Sequence, residues 1–275
     1  MRIVTWVGGA AAVVMLWISL AGPALGTTAA ASPTNPLAVA KSLAISAGDV
    51  PSGWTSDDQA GQCIAGAGSD PSKPYCGNTP LPSEQAADDH FAKCLGVPVS
   101  HISMLTGADE PGEPFSYASS TYTAPGGPKA NPDYLPQVGS FVTVEPSRAA
   151  QVADLRAFST TSFPRCFEIE EHGPLEAVIA DFAALIHGKL SFGTVHDIAV
   201  ASRPGVSAVG YAFPMTLSSP KLSGTITYSL VILGAGHIES VIHLQSWSST
   251  PFPPKVAVAV TLRIEGKLGA FGGGS

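Results

Sequence analysis

The sequence predicts an α+β fold: an antiparallel β-sheet with helices packed mainly on one face, held by two disulfides. Three observations lead to this class. Segments that alternate like strands cluster in the chain, and short turns join them instead of helices. Segments with helical spacing flank those clusters. The four cysteines are an even number, which suits two disulfides in an oxidising compartment.

The chain begins with the features of a secretory signal peptide. Arg2 precedes the apolar run Val7–Leu20, and small residues follow at Ala24-Leu25-Gly26. We therefore expect residues 1–26 to be removed, with the cleavage point between 26 and 31. The alternative is an uncleaved membrane anchor, but the run is shorter than the roughly 20 residues of a spanning helix. No cysteine directly follows the apolar run at the cleavage region, so a secreted or cell-wall protein without a lipid anchor is predicted.

The first half of the remaining chain contains two predicted helices and two predicted strands. Ser83 can cap the second helix, and Gly96 suits its end. Alternating residues mark the first of the two strands. The predicted elements are a helix at 37–45, a loop at 55–82, a helix at 82–96 and strands at 115–123 and 138–144.

The second half carries more helices and three long strand-like runs. Gly234-Ala235-Gly236 reads as a hairpin connection between the last two runs. Residues 255–268 alternate as a strand would, but the preceding prolines, the length and the i+4 spacing of valines favour a terminal helix. The predicted elements are helices at 147–161 and 175–187, strand runs at 196–217, 222–233 and 237–246, and a helix at 255–268.

Domain organisation and charge limit the partners. We expect a flexible segment at 27–44, one secreted domain at 45–268 and a flexible tail at 269–275.

Loss of Arg2 with the signal peptide changes the net charge from −7 to −8. An acidic protein with 13% charged residues is a poor partner for nucleic acid or for anionic membranes. The mature chain is expected not to insert stably into a membrane.

The four cysteines allow three disulfide pairings. We favour Cys63–Cys76, which would staple a segment rich in glycine, serine and proline, and Cys94–Cys166, which would join two predicted helices. A zinc site is the competing interpretation. Zinc sites usually contain close Cys-x-x-Cys pairs or nearby histidines, and this sequence has no such pair.

Several short motifs resemble secreted or lipid-anchored actinobacterial envelope proteins. They are Asp49-Val50-Pro51-Ser52-Gly53-Trp54, Ala92-Lys93-Cys94-Leu95-Gly96, Gly139-Ser140-Phe141-Val142-Thr143-Val144 and Pro146-Ser147-Arg148-Ala149-Ala150. In outline they are similar to the extracellular sensor domain of mycobacterial serine/threonine kinases of the PknH type. The resemblance implies an antiparallel sheet flanked by helices, a cleft and two disulfides, and it brings no catalytic residues.

The candidate site residues lie on the last predicted strand. His237, Glu239 and His243 share one parity, so a strand points all three to one face. That face is either solvated or the polar wall of a ligand cleft, to which Trp247 could add an aromatic surface. The two histidines lie about 20 Å apart in an extended strand and cannot hold one metal ion. Neutral imidazoles exposed there would titrate near pH 6.5.

The function predicted from the sequence is non-enzymatic. The nearest string to a hydrolase motif, Gly205–Gly210, is one residue too long. We expect a cell-envelope protein that binds a small molecule, a lipid or a protein partner in a cleft between sheet and helices, without a cofactor or a metal. The alternatives are a secreted hydrolase whose site assembles from distant loops and a structural interaction module.

Overall fold

The computed structural model describes most of the predicted domain. The described residues are 35–62, 82–96, 115–126, 134–159, 162–171, 187–200, 202–220 and 223–272. Three predicted features lie outside these ranges. They are the signal peptide, the Cys63–Cys76 pair and the helix at 175–187 except for its last residue. No helix among the described residues is long and apolar enough to cross a membrane.

The described strands form one antiparallel sheet, as the sequence predicted. Their bounds are β1 Thr55–Ser56, β2 Gly61–Gln62, β3 Phe115–Ala118, β4 Tyr122–Thr123, β5 Gln137–Val144, β6 Lys189–Phe192, β7 His196–Asp197, β8 Ser207–Ser218, β9 Ser223–Ala235 and β10 Ile238–Trp247. The order across the sheet is β1-β4-β5-β10-β9-β8-β6, while β3 also pairs with β5, β2 with β3, and β7 with β8. The strand β10 therefore lies at the centre.

Five described helices accompany the sheet, which confirms the α+β class. They are α1 Pro36–Leu43, α2 Pro82–Leu95, α3 Arg148–Phe158, α4 Ser162–Glu171 and α5 Pro254–Gly272. The side chain of Ser147 caps α3 by accepting the Ala150 N–H at 3.1 Å. The folded part thus begins before residue 45 and extends past residue 268.

Helices cover both faces of the sheet, so the expectation of helices mainly on one face is wrong. On one face α2, α3 and α4 pack through Phe91, Leu155, Phe158 and Phe163. On the other face α1 and α5 pack through residues that include Leu43 and Ile264. The central strand β10 is buried at every position, because both of its faces are covered. A strand with two covered faces need not alternate between apolar and polar residues.

Several predicted boundaries also change. The expected loop at 55–82 contains β1 and β2, and the strand expected at 115–123 is interrupted between β3 and β4. The strand β6 and the helix α4 were not predicted. The helix α4 was not predicted because Pro164 and the acidic C-terminal end of the segment weaken its helical periodicity. Burial of Phe163 and Cys166 stabilises the helix in the folded protein.

The disulfide Cys94–Cys166 is present, as predicted. It joins the last turn of α2 to the middle of α4, with 5.7 Å between the two Cα atoms. Cys166 is buried in the same core cluster as Phe91 and Phe163. The bond therefore fixes two helices to each other at the point where both meet the sheet.

The C-terminal segment is a helix, which confirms the prediction at 255–268. Val260, Ile264 and Leu268 are fully buried at i+4 spacing. Lys267 on the same helix forms an ion pair with Asp49 at 2.6 Å and donates to the Ala44 carbonyl at 2.9 Å. Burial raises the pKa of Asp49, but its hydrogen bonds with Lys267 and Ser46 outweigh burial and hold that pKa below its usual value.

Candidate functional site

The candidate site lies on the sheet face that α3 covers, which we call the α3 face. Alternation along β5, β9 and β10 places Phe141, Tyr228 and Val241 on this face. Glu239 and His243 have the same parity as Val241, and Glu145 has the same parity as Phe141. Polar side chains therefore point from the sheet toward the underside of α3.

Three carboxyl groups are buried together at one end of the α3 face. Glu145 directly follows β5, and its N–H donates to the His237 carbonyl at 2.7 Å, which continues the ladder. Glu239 is the second residue of β10, and Asp154 lies on the inner side of α3. Each of the three is at most 2% exposed. Three elements thus bring three acids into one apolar environment.

Burial changes the acidity of these groups. It raises the pKa of Glu145 well above its ordinary value, and the charges of Asp154 and Glu239 raise it further. The pKa of Glu239 is also raised well above its ordinary value, by burial and then by the charge of Asp154. Within the described chain, both oxygens of Glu145 and Oε2 of Glu239 lack a hydrogen-bond partner. The neutral, protonated carboxyl groups are therefore favoured.

Gln151 of α3 lies beside this carboxyl cluster (Glu145, Asp154 and Glu239). Its amide sits over Gly234, which pairs with Glu239 across the sheet. A Cβ atom on Gly234 would overlap that amide, so glycine is what lets α3 approach the sheet here. The side chain is 3% exposed, and its Nε2 has no hydrogen-bond partner among the residues described. An unpartnered donor thus accompanies the unpartnered acceptors.

His243 occupies the next part of the α3 face. Its imidazole lies over Gly139, its cross-strand partner, and its ring centroid is 5.5 Å from that of Phe141. Burial lowers the pKa of His243 to about 4. The expected titration near pH 6.5 is therefore wrong for this residue, which stays neutral at neutral pH.

The sequence-predicted site residues are only partly brought together. Glu239, His243 and Trp247 lie on the α3 face and are buried, so the interpretation as a solvated face is wrong for them. Glu239 and Trp247 are eight residues apart, roughly 26 Å at the usual strand rise. The His237 ring contacts Phe271 of α5 with 5.8 Å between centroids, and burial lowers the pKa of His237. These four residues therefore do not form one site.

Sequence reasoning missed Glu145, Gln151 and Asp154. A signal existed for each of them. Glu145 continues the parity of Phe141 beyond the end of β5, and Gln151 and Asp154 share the helical stripe of Leu155 and Phe158. Polar residues on an otherwise apolar stripe are a mark of buried polar contacts, but only the packing of α3 places them against Glu239.

A separate pocket of about 180 Å³ lies at the edge of the sheet, beside β7 and β8. Asp197, Ile198 and Tyr211 line it. The volume is below the roughly 300–1,000 Å³ of typical ligand pockets. The Tyr211 hydroxyl also donates a hydrogen bond to the carbonyl of Phe158. This side of the pocket therefore already serves to attach α3 to the sheet. The carboxyl cluster is the better candidate.

Replacing Gly139 with alanine is expected to lower the free energy of unfolding by roughly 1–3 kcal/mol, a typical cost of overpacking. The new Cβ would overlap the His243 imidazole, which Phe141 confines. His243→Ala should remove most of that cost in a double-mutant cycle measured by urea unfolding. Gly48→Ala is the control, because its nearest new contact is 3.9 Å away. An equal cost of Gly139→Ala with and without His243 would contradict this arrangement.

Comparisons with known proteins give one structural likeness. No family model and no curated protein matches the chain. Among solved structures, the chain is similar to the extracellular domain of PknH from Mycobacterium tuberculosis, at 13% identity and with a TM-score of 0.38. The match covers 88% of this chain and 100% of that one. This solved structure is of the PknH type that the short sequence motifs resemble.

Proposed function

We propose that this is a secreted cell-envelope protein with a non-enzymatic role, which binds a ligand between α3 and the sheet. The observation that supports this is a set of buried polar atoms on Glu145, Glu239 and Gln151 that have no hydrogen-bond partner among the residues the structure describes. Each such atom destabilises a fold by about 1–3 kcal/mol. A ligand that supplies the missing hydrogen bonds would recover this free energy, and apolar residues would have avoided the cost in a purely structural core.

The state of His243 supports binding over hydrolysis. A hydrolytic histidine must accept a proton from a nucleophile at neutral pH. The pKa of about 4 makes His243 a weak base there, and its ring packs on Phe141. The alternative of a structural interaction module has its own support in Val258 and Leu262, which are exposed on the outer side of α5.

The test compares protein secreted by its native host with the same protein after unfolding in urea, dialysis and refolding. Native mass spectrometry should show an added mass that the treatment removes. Hydrogen exchange of the α3 amides should be faster in the stripped protein, while that of the α5 amides stays the same. Identical masses and identical α3 exchange in the two samples would contradict the proposal.

Two variants test whether the added mass binds between α3 and the sheet or on the outer surface of α5. Gln151→Leu fills the same space without a donor, so the secreted variant should lose the added mass. Leu262→Ser on the outer side of α5 should retain it. The reverse result would favour the interaction-module alternative.

Secretion is part of the proposal and has a separate measurement. The features of residues 1–26 support export with cleavage. Protein from the culture fluid or the cell wall should begin between Thr27 and Ser32 when its N-terminus is sequenced. Exported protein that begins at Met1 would instead support the membrane-anchor alternative.

A further inference from the structure

We propose that the outer surface of α1 and α5 docks the protein on an anionic phospholipid bilayer, without insertion of a spanning segment. This inference goes beyond the proposed binding function and concerns a different part of the molecule. We call this region the α1–α5 surface. Its exposed side chains are Leu37, Lys41, Lys255, Val258, Leu262 and Arg263.

The α1–α5 surface carries most of the large apolar side chains that the described residues expose. Four such side chains are exposed in the described ranges, and three of them lie here. Leu37 on α1 is 41% exposed, and Val258 and Leu262 are 59% and 36% exposed on the side of α5 that the sheet leaves uncovered. Single exposed apolar residues are common on protein surfaces, so the charges beside them decide what this surface fits.

The charge of this surface is positive, although the whole chain is acidic. Lys41, Lys255 and Arg263 are exposed on α1 and α5, whereas Glu265, the one acidic residue of these two helices, is 0% exposed. Within the described ranges, the exposed acids lie on or next to other elements, namely Asp57 and Asp58 after β1, Asp89 on α2 and Asp197 on β7. The net charge of −7 therefore does not describe the α1–α5 surface.

Contacts between the two helical segments hold the surface together. Both helices pack on the same face of the sheet. Arg263 donates to the Gly48 carbonyl at 2.7 Å, and Lys267 donates to the Ala44 carbonyl at 2.9 Å. Lys267 also pairs with Asp49, so its charge is already balanced within the fold. A guanidinium has five N–H donors, so Arg263 can bind a phosphate oxygen in addition to the Gly48 carbonyl.

The combination of aliphatic and cationic side chains favours a lipid surface as the partner. Helices that bind at membrane interfaces bury apolar side chains at the acyl boundary and place Lys or Arg beside anionic headgroups. A second copy of the chain fits less well, because a symmetric dimer would bring two sets of Lys41, Lys255 and Arg263 together. Protein partners usually rely on Trp, Tyr and Arg anchors, whereas the apolar residues here are Leu and Val. A chain exported across a membrane also meets the outer surface of that membrane.

The experiment is co-sedimentation of the secreted mature protein with lipid vesicles at neutral pH. One set of vesicles contains phosphatidylcholine alone, and the other contains equal parts of phosphatidylcholine and phosphatidylglycerol. In about 0.1 M salt we expect the affinity for the anionic vesicles to be at least about tenfold higher than for the neutral vesicles. This difference should disappear in about 1 M salt, because the Debye length falls from about 10 Å to about 3 Å.

Matched variants locate the docking surface. Lys255→Gln should weaken binding to the anionic vesicles about fivefold, the effect of one cation near such a membrane. Val258→Ser should weaken it at least about threefold, because an apolar contact with the acyl boundary is lost. The controls are Arg156→Gln and Val152→Ser, which change exposed residues of α3 on the opposite face of the sheet and should leave the affinity unchanged. All four side chains are exposed, so the variants should fold like the wild type.

Four outcomes would overturn the inference. The first is no preference for the anionic vesicles, and the second is a loss of binding in the α3 variants as large as in the α5 variants, which would show nonspecific attraction between charges. Binding that soluble polyglutamate abolishes and Val258→Ser leaves unchanged would favour an acidic protein partner. Self-association in sedimentation equilibrium that Val258→Ser removes would favour a second copy. None of these results affects the added mass expected for the proposed function, so the two proposals fail separately.

Discussion

Replacing Cys94 with serine is expected to lower the free energy of unfolding by roughly 4 kcal/mol. The bond to Cys166 spans 72 residues of sequence, and the chain-entropy model assigns a loop of that length this cost. The change also leaves a lone thiol at Cys166, which is buried in the core beside Phe163. Urea unfolding of the oxidised proteins measures the difference.

Cys63→Ser is the comparison for this prediction. The predicted Cys63–Cys76 bond closes a much shorter loop, for which the same model gives about 3 kcal/mol. Its removal should therefore cost less than that of Cys94–Cys166. Cys94→Ser with unchanged unfolding, or peptide maps that join Cys63 to Cys94 in the native protein, would contradict the predicted roles of the two bonds.

Replacing Glu145 and Glu239 with glutamine should stabilise the refolded, ligand-stripped protein at pH 8 by roughly 1–3 kcal/mol for each residue. The pKa of both groups is raised in the folded state, so the folded protein binds more protons than the unfolded chain above pH 4.5. The stability that the protonated groups provide is complete below about pH 4.5. It is lost as the pH rises through their folded pKa values. Glutamine does not titrate and avoids this loss.

The measurement is the urea midpoint at pH 6.5 and at pH 8, a range over which His243 stays neutral in the folded protein. The wild type should be less stable at pH 8, while the double variant should change much less. The two substitutions are neighbours, so their effects need not add. Asp89→Asn is the control and should follow the wild type. A wild type that is equally stable at both values would contradict buried, protonated glutamates.

Acid should destabilise wild type and variants alike. The pKa of His243 falls to about 4 on burial, so the unfolded chain binds its proton more readily between about pH 4 and 6.5. Stability from the neutral imidazole is therefore lost as the pH falls through that window. The Asp49 carboxylate adds a loss at still lower pH, because its folded pKa lies below the ordinary 3.8.

The sequence by itself determined the features that depend on local periodicity. Clustered strand-like runs joined by hairpins indicated an antiparallel sheet, and the i+4 spacing of Val260, Ile264 and Leu268 indicated the terminal helix. The composition of the cysteine loops was enough to choose the Cys94–Cys166 pairing. Parity also placed Glu239 and His243 on one face, because successive side chains of a strand point to opposite sides.

Only the tertiary structure decided what covers each face and which distant residues meet there. Parity assigns Glu239 to a face, but it carries no information on whether water or a helix lies above it. Packing of α3 over Gly234 brings Gln151 and Asp154 onto that face, and pairing of β5 with β10 adds Glu145. These contacts join residues far apart in sequence, so no local pattern encodes them. Burial under α3 raises the pKa of Glu145 and Glu239, so both side chains keep their protons at a pH at which exposed glutamates would be ionised.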